Sequence, residues 1–472
     1  MVENKKKYII LIISIITIAI YSYNVFIQNV QTDEAWAHSA TSAKIKYKYY
    51  TMPAFYDMEI FKEKPYYMMR TIDQLYRASI LINGEGPNSV KFVRLIAVIF
   101  LLSSLFYYLK NQNYIKETFD RIIAGCIMLL LIFITGAVNG REELFITSVL
   151  LFIMGIISKY RNSEGVITKK TEVIILAFLC FCIHPNGIFI LFALSLLMLN
   201  IKKIQHLIKY YILILLLLYS YYVFLIDYNL VTYQEQFILL TQSGEEQKFI
   251  TSIGDFFVFL KNELSRYSIQ RMFVNIYYLF VSLNLIVFVI GGIIVGFLNK
   301  KQFKTELFFS ATLFFGLIFI GNKSSIYLAY LIPFTFIMFI VFILNKINNK
   351  HKILLLLSIF VMLFFTSIGS IYKTQNYNKE YNQILEFTYK NVPLNSKVYA
   401  PFRFEPYLSK KYEYYTTTHK DRVNAYNKFN IDLRNSYVIS SKKDGIWDYI
   451  DQKKYDCEPF NNSGYYKIIH VK

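Results

Sequence analysis

Residues 8–36 read YIILIISIITIAIYSYNVFIQNVQTDEAW and join a long apolar segment to a pair of carboxylates. The apolar part, residues 8–30, is longer than the roughly 20 residues that a helix needs to cross a bilayer. Lysines at positions 5–7 precede it, so the positive-inside preference predicts a cytoplasmic amino terminus. Asp33 and Glu34 would then emerge on the outer face, at the level of the lipid headgroups. A membrane span is favoured over a signal peptide, because the apolar segment is too long for one and further runs follow.

The composition is that of a membrane protein. Hydrophobic residues make up 55% of the 472-residue chain, and its mean hydropathy is positive. The net charge of +19 lies largely in short loops between apolar runs, where it encodes topology and attracts anionic lipid. We therefore expect membrane lipids, and no nucleic acid, as partners. The four cysteines are too scattered for a disulfide framework or a metal site, and no cofactor is expected.

The remaining chain alternates apolar runs with basic loops. After the first run, apolar runs cover residues 90–109, 122–137, 143–158, 172–200, 210–226, 273–298, 306–321, 325–345 and 353–371. Residues 31–89 form a first outer loop rich in Lys and Tyr. With one run folded back on itself, the pattern predicts an α-helical polytopic protein with about 11 crossings in residues 1–371. An odd count places the carboxyl terminus outside the plasma membrane.

The run at residues 172–200 is interrupted by His184-Pro185-Asn186-Gly187, and lysines lie at both of its ends. Each half is too short to span the hydrocarbon, so a hairpin of two half-depth helices is expected. A broken hairpin of this kind normally faces a cavity. The alternative is one long helix kinked at Pro185, which would invert the orientation of every later run.

Residues 372–472 differ from the rest, since they are charged, rich in Tyr and without long apolar runs. Helical spacing of apolar residues predicts a helix over 377–391, and short β-prone stretches predict strands at 397–401, 437–440 and 465–471. These elements indicate a small extracytoplasmic α/β domain.

The predicted topology brings polar groups to the outer boundary of the membrane. They are Asp33, Glu34, Arg141, Glu142, Glu143, His184, Asn322 and Lys323. Ionisable groups at this depth are costly and tend to mark a functional path. A carboxylate can accept the proton of an attacking hydroxyl, while Arg and Lys offset the charge on a departing phosphate. The set therefore indicates group transfer from a phosphorylated donor, provided that all of these residues converge on one site.

Each of these residues also has a purely structural interpretation. Arg141 can form an interfacial ion pair, His184 can cap the helix break, and the side chain of Lys323 can reach for the interface. Glu142 and Glu143 are expected to be solvated.

Several motifs in this order resemble a known family. They are Asp33-Glu34 after the first span, Lys64-Pro65-Tyr66-Tyr67, Gly84 to Arg94-Leu95 before the second span, Gly140-Arg141-Glu142-Glu143-Leu144, His184-Pro185-Asn186-Gly187, and Asn322-Lys323 with Tyr330-Leu331-Ile332-Pro333. Over roughly residues 1–345 the chain resembles the polyprenol-phosphate-sugar-dependent glycosyltransferases of the GT-C fold. More narrowly, it is similar to the group of protein O-mannosyltransferases and the lipid A aminoarabinose transferase. Asp57-Met58-Glu59 departs from the metal-binding Asp-x-Asp of oligosaccharyltransferases, so no metal is expected.

The resemblance implies inverting transfer of a monosaccharide from a polyprenyl-phosphate donor to an acceptor hydroxyl on the outer face. The acceptor would be a surface glycan such as teichoic acid, a lipid or a protein. Carried over by motif, the catalytic residues are Asp33 as general base and Glu34, which orients substrate or shares the task of the base. Arg141 and Lys323 are ligands of the donor phosphate, and His184, Tyr330 and Glu142 line the cavity.

Two other classes remain open. Polysaccharide polymerases and ligases also have many spans and a large outer loop, and they depend on paired arginines, for which Arg266 and Arg271 are the candidates. A flippase or transporter of lipid-linked sugars would account for the broken hairpin. The sequence contains no inverted repeat of the kind that many carriers have.

Overall fold

A computed structural model describes residues 2–48, 51–57, 65, 71–137, 142–160, 169–198, 204–241, 258, 261–319, 324–417, 427, 430–441, 445–461 and 465–472. Its first ten α-helices are α1 Val2–Phe26, α2 Thr32–Tyr47, α3 Asp73–Asn83, α4 Pro87–Asn111, α5 Thr118–Ile134, α6 Glu142–Tyr160, α7 Lys170–Ile183, α8 Ile188–Met198, α9 Ile204–Phe224 and α10 Leu230–Thr241. The later ones are α11 Ile276–Leu285, α12 Gly291–Leu298, α13 Lys304–Phe319, α14 Ile332–Lys346, α15 Asn349–Asn391, α16 Glu405–Leu408 and α17 Ile446–Lys453.

Long apolar helices dominate the described part of the chain. Five of them are long and apolar enough to cross a membrane, namely Lys6–Phe26, Pro87–Asn111, Glu142–Tyr160, Ile276–Leu298 and His351–Asn391. The predicted helical membrane protein is therefore confirmed in this coarse form. The number of crossings and the orientation of the termini stay predictions.

The chain divides into two compact units by its internal contacts. Unit 1 comprises Met1–Ile27, Arg94–Tyr219 and Phe249–Tyr372, and unit 2 comprises Gln28–Val93, Ser220–Lys248 and Lys373–Lys472. The contacts thus group the whole of the predicted first outer loop with the carboxyl-terminal tail. The division of function between residues 1–371 and 372–472 stays a prediction.

Unit 1 is a bundle of helices in which two buried tyrosines reach carbonyl acceptors. The Tyr21 hydroxyl on α1 donates to the Leu129 carbonyl on α5 at 2.8 Å. Tyr108 on α4 donates to the Pro333 carbonyl on α14 at 3.4 Å. A tyrosine buried in an apolar bundle needs such an acceptor, so these bonds fix which helices pair.

Helices α12 and α14 approach each other closely at Gly292. A Cβ atom added there would clash with the carbonyl oxygen of Thr335, which is backbone and cannot rotate away. We expect Gly292→Ala to lower the free energy of unfolding by about 1–3 kcal/mol through overpacking. Gly291→Ala is the matched control, because its nearest neighbours are ring carbons of Phe339 at 3.2 and 3.3 Å that can shift. Thermal unfolding in detergent measures both, and equal midpoints would contradict the predicted contact.

The run at residues 172–200 is broken as predicted. Helix α7 ends at Ile183, a 3₁₀ turn covers Pro185–Gly187, and α8 begins at Ile188. Because α7 and α8 pack against each other, the break is a hairpin, and the alternative of one long kinked helix is wrong.

Unit 2 contains a five-stranded sheet in the order β2-β1-β3-β5-β4. Its strands are β1 Lys397–Ala400, β2 Glu413–Thr416, β3 Ser436–Ser441, β4 Cys457–Asn461 and β5 Tyr466–Val471. β1 runs parallel to β2 and β3, while β5 runs antiparallel to β3 and β4. The predicted strands correspond to β1, β3 and β5, and the two edge strands were missed. The predicted small α/β character of the tail is confirmed.

Two features of the helices were not predicted. Helices α2 and α3 lie within the predicted outer loop at residues 31–89, so Asp33 and Glu34 occupy a helix instead of a loop. The helix predicted over 377–391 is present, but as the last part of the longer α15, which starts at Asn349. Residues 370–391 contain no Pro or Gly, so nothing in this sequence ends the helix.

Candidate functional site

The carboxylate pair lies in the first turn of α2. The Gln31 amide donates to Oε2 of Glu34 at 2.9 Å, which satisfies a backbone donor at the helix start. Glu34 is only 1% exposed, whereas Asp33 is partly exposed. The two acids therefore differ: Glu34 serves the start of its own helix, and Asp33 is the more accessible carboxylate.

An aromatic cluster packs on the next residues of α2. The Trp36 ring centroid lies 6.1 Å from that of Phe55 and 5.6 Å from that of Phe402, with edge-on geometry. Phe55 and Phe402 are themselves 5.4 Å apart. All three side chains are buried, so α2 is held by a short 3₁₀ turn of the first outer loop and by the segment that follows β1.

His38 lies one helical turn after Glu34 and is buried. Its Nδ1 atom is 3.2 Å from Oε2 of Glu405, and its Nε2 atom is 3.1 Å from the amide nitrogen of Gly86. His38 and Glu405 were not among the predicted site residues. No helix was predicted at this position, so the four-residue spacing of Glu34 and His38 carried no signal, and no sequence signal pointed to Glu405.

The tail also holds a cation against tyrosine rings. The Arg403 guanidinium carbon lies 4.9 Å from the ring centroid of Tyr377, whose hydroxyl hydrogen-bonds that of Tyr466. Burial raises the pKa of Tyr466 to about 12, so this hydroxyl stays neutral at physiological pH. The positive charge of Arg403 therefore meets a neutral aromatic surface.

In unit 1, two of the predicted cavity residues meet on one tyrosine. Tyr327, in the 3₁₀ helix Ser325–Tyr330, lies 6.3 Å from the His184 ring and 6.0 Å from the Tyr330 ring. His184 also accepts the Asn186 amide at Nδ1, at 3.1 Å, so the interpretation of His184 as a cap of the helix break is confirmed. That these rings line a cavity stays a prediction.

A buried ion pair supports the same 3₁₀ helix. Arg266 is fully buried, pairs with Glu263, and lies 5.5 Å from the Tyr327 ring centroid. Its guanidinium also donates to the carbonyls of Ser324 and Leu317, at 2.9 and 3.0 Å. Arg266 thus ties the end of α13 to the start of the 3₁₀ helix.

The predicted phosphate ligands, Arg141 and Lys323, lie outside the described residues. Residues near them are joined within unit 1, since the Ser325 hydroxyl donates to the Thr135 carbonyl at 3.1 Å. Helix α6, which follows Arg141, packs against the same 3₁₀ helix.

Glu142 and Glu143 at the start of α6 are 3% and 1% exposed. The expectation that they are solvated is therefore wrong. Helix α6 faces inward at its first turn, where carboxylates are favoured by the helix dipole.

Among the described ranges, no three His, Cys, Asp or Glu side chains are grouped so that they could hold a metal ion. Asp57 is described, but the other two residues of the Asp57-Met58-Glu59 motif are not.

Solved structures resemble this chain, whereas no family model and no curated protein matches its sequence. ArnT from Cupriavidus metallidurans in the apo state aligns with a TM-score of 0.61 and 9% identity over 98% of each chain. ArnT from the same organism bound to undecaprenyl phosphate aligns with a TM-score of 0.56 and 9% identity over 97% of each chain. The oligosaccharyltransferase of Archaeoglobus fulgidus in the apo form aligns with a TM-score of 0.56 and 12% identity, over 92% of this chain and 69% of that chain.

The fold is of the GT-C type. The resemblance inferred from the ordered motifs is thereby confirmed at the level of the fold. Identities of 9–12% carry no residue roles across, so the chemistry of this GT-C chain has to be argued from its own residues.

Proposed function

We propose that this chain is an integral membrane glycosyltransferase that moves a monosaccharide from a polyprenyl-phosphate donor to an acceptor hydroxyl. The acceptor is a surface glycan such as teichoic acid, a lipid or a protein. Transfer takes place on the outer face of the plasma membrane and inverts the sugar's anomeric configuration, with the amino terminus in the cytoplasm and the tail outside. The observation that carries the proposal is the partly exposed Asp33 carboxylate at the capped start of α2 in a chain of the GT-C fold.

Asp33 is the general base in this proposal. It would take the proton of the acceptor hydroxyl as that oxygen attacks the anomeric carbon and the bond to the donor phosphate breaks. The amino end of α2 favours a charged carboxylate, which is the form that accepts a proton. Glu34 supports this role by fixing the start of the helix, through its bond from the Gln31 amide.

Arg141 and Lys323 are the proposed ligands of the donor phosphate. Two cations would offset the charge that builds on the phosphate as the sugar leaves. The bond between Ser325 and Thr135 supports this assignment, because it joins described residues that precede Arg141 and follow Lys323. His184, Tyr330 and Glu142 would line the cavity for the lipid-linked sugar.

Analysis of cell-surface glycans tests the function directly. Mass spectrometry compares glycans and envelope lipids of cells that lack the protein with those of cells that regain it. We expect the mass of one monosaccharide to be missing from a glycan or lipid in the cells that lack the protein, and to be restored in the cells that regain it. For the purified enzyme, the donor is the lipid fraction that carries polyprenyl-phosphate sugars, extracted from native membranes. An unchanged glycan profile together with no transfer from this fraction would reject the proposal.

A flippase for lipid-linked sugars is the second candidate, because the α7–α8 hairpin is a broken helix of the kind that carriers use. Proteoliposomes separate the two functions. Movement of a lipid-linked sugar across the bilayer without any new glycosidic bond favours the carrier, and a new bond favours the transferase.

The polymerase or ligase alternative is less well supported. Arg266 is buried in an ion pair with Glu263, whereas Arg271 is exposed with its guanidinium 5.7 Å from the Tyr278 ring. Their different environments do not suit a pair of arginines acting together on one substrate.

A further inference from the structure

His38 occupies the junction of three segments of unit 2. It lies on α2, and its two ring nitrogens contact the turn before α4 and the first residue of α16. His38 is 1% exposed and Glu405 is 5% exposed, so water does not compete for either bond. A histidine in such a position is held from both sides of its ring.

The hydrogen bonds identify the tautomer. A backbone amide can only donate, so Nε2 of His38 accepts the Gly86 N–H and carries no proton itself. In the neutral ring the proton is then on Nδ1, which donates to the Glu405 carboxylate. Both nitrogens are satisfied only by this tautomer and only in this ring orientation.

The turn that supplies the Gly86 amide is itself fixed. Gly86 has a φ of +125°, a conformation that other residues rarely adopt. The Ser89 hydroxyl donates to the Gly86 carbonyl at 2.6 Å, and the Ser42 hydroxyl on α2 donates to Glu85 at 2.6 Å. The turn is therefore bound to α2 at two points, Ser42 and His38.

We propose that His38, clamped between Gly86 and Glu405, is a positioning residue for Asp33. The inference rests on the proposed role of Asp33. Both residues lie on α2, about 7.5 Å apart along the axis at 1.5 Å per residue, so fixing the His38 ring fixes the rotation and axial position of the turn that carries Asp33. A displacement of about 1 Å at a reacting group can cost about 100-fold in rate.

The same geometry gives the tail a catalytic purpose. Glu405 and Phe402, in the segment that follows β1, contact His38 and Trp36 on α2. A shift of the segment that follows β1 would therefore move α2 through these two contacts. In this view the tail holds the base in position.

Four variants separate the two bonds. His38→Ala removes both. His38→Gln keeps an acceptor near the Nε2 position, for Gly86, while His38→Asn keeps a donor near the Nδ1 position, for Glu405. Glu405→Gln is the conservative control, since its amide oxygen still accepts from Nδ1.

We expect His38→Ala to lower kcat by about 10- to 100-fold with an unchanged KM for the donor fraction. His38→Gln and His38→Asn should fall between His38→Ala and the wild type, and Glu405→Gln should stay within about threefold of the wild type. A purely structural role of His38 would instead lower the fraction of enzyme that is folded. The concentration of folded enzyme is therefore measured by gel filtration, and kcat is calculated per folded molecule.

The fluorescence of Trp36 reports the packing of α2 independently of any activity measurement. The chain has two tryptophans, and Trp447→Phe leaves Trp36 as the single emitter between Asp33 and His38. In this background we expect the emission of His38→Ala to shift to the red as the contacts with Phe55 and Phe402 loosen. Glu405→Gln should leave the emission unchanged. If His38→Ala does not fold, His38→Gln and His38→Asn provide the same comparison.

The outcomes keep this inference apart from the proposed function. Wild-type kcat and emission in His38→Gln and His38→Asn would overturn the positioning role. Transfer at the wild-type rate in Asp33→Asn would reject the base instead. If His38 acts through Asp33, the double variant Asp33→Asn with His38→Ala should lose no more activity than Asp33→Asn alone. Additive losses of activity in the double variant would also overturn the positioning role.

Discussion

Asp33→Asn is expected to lower the rate of sugar transfer by about 10²- to 10⁴-fold, the usual contribution of a general base. The amide has nearly the shape of the carboxylate but cannot take the proton of the acceptor hydroxyl. Asp33 is partly exposed at the start of α2, so the substitution should leave the fold intact. Donor binding should also persist, because the proposed phosphate ligands, Arg141 and Lys323, are other residues. The measurement is kcat and KM with the polyprenyl-phosphate sugar fraction from native membranes.

Glu34→Gln is the matched control for this prediction. The amide oxygen of the substituted side chain can still accept the Gln31 N–H, so the capping bond survives without the charge. We expect transfer within a few-fold of the wild type and a small loss of thermal stability. If Glu34→Gln loses as much activity as Asp33→Asn, the base is not Asp33 alone. Wild-type transfer by Asp33→Asn would falsify the assignment.

The helices of the bundle were predictable because a membrane helix is defined by composition. An apolar run of sufficient length has no other stable conformation in lipid, so residues 90–109 and 143–158 fall within α4 and α6. The hairpin was predictable for a related reason, since Pro185 and Gly187 interrupt a run that is too short for two full crossings.

Unit 2 was harder to predict from local patterns. Helix α2 begins at a Gln cap, which is a weak start signal, and its sequence mixes small, charged and aromatic residues without a clear apolar face. Strand β2 is only four residues long and follows two lysines, so its pattern is lost in charged surroundings. Edge strands are often this short and charged, which protects them from pairing with other chains.

The residues of the candidate site likewise include some that could be predicted from the sequence and some that could not. The chemistry of the polar groups together with the family resemblance singled out Asp33, and the grouping of His184 with Tyr330 around Tyr327 agrees with the order of the motifs. Glu405 was not predictable, because it meets His38 across 367 residues of sequence and no local pattern marks it. The burial of Glu142 and Glu143 was missed for a similar reason. Which way a helix faces at its first turn depends on tertiary packing.

Arg266→Met is expected to lower the free energy of unfolding by about 3–5 kcal/mol, the cost of breaking a buried ion pair from one side. Glu263 is 2% exposed and would lose the cation that compensates its charge. The carbonyls of Leu317 and Ser324 would lose their donors at the same time. Chemical unfolding of the detergent-solubilised protein measures the effect. Arg271→Met is the control, since this exposed arginine should contribute no more than about 1 kcal/mol through Tyr278.

A double variant distinguishes a structural arginine from a catalytic one. In the double variant Glu263→Gln with Arg266→Met, neither member of this ion pair leaves a buried charge, so part of the stability lost by Arg266→Met should return. Transfer activity should follow stability across this series, because Arg266 acts on the backbone on either side of residues 320–323 and not on substrate. A polymerase with paired arginines predicts the opposite pattern. There, Arg266→Met and Arg271→Met would both abolish activity, and restoring stability in the double variant would bring none of it back.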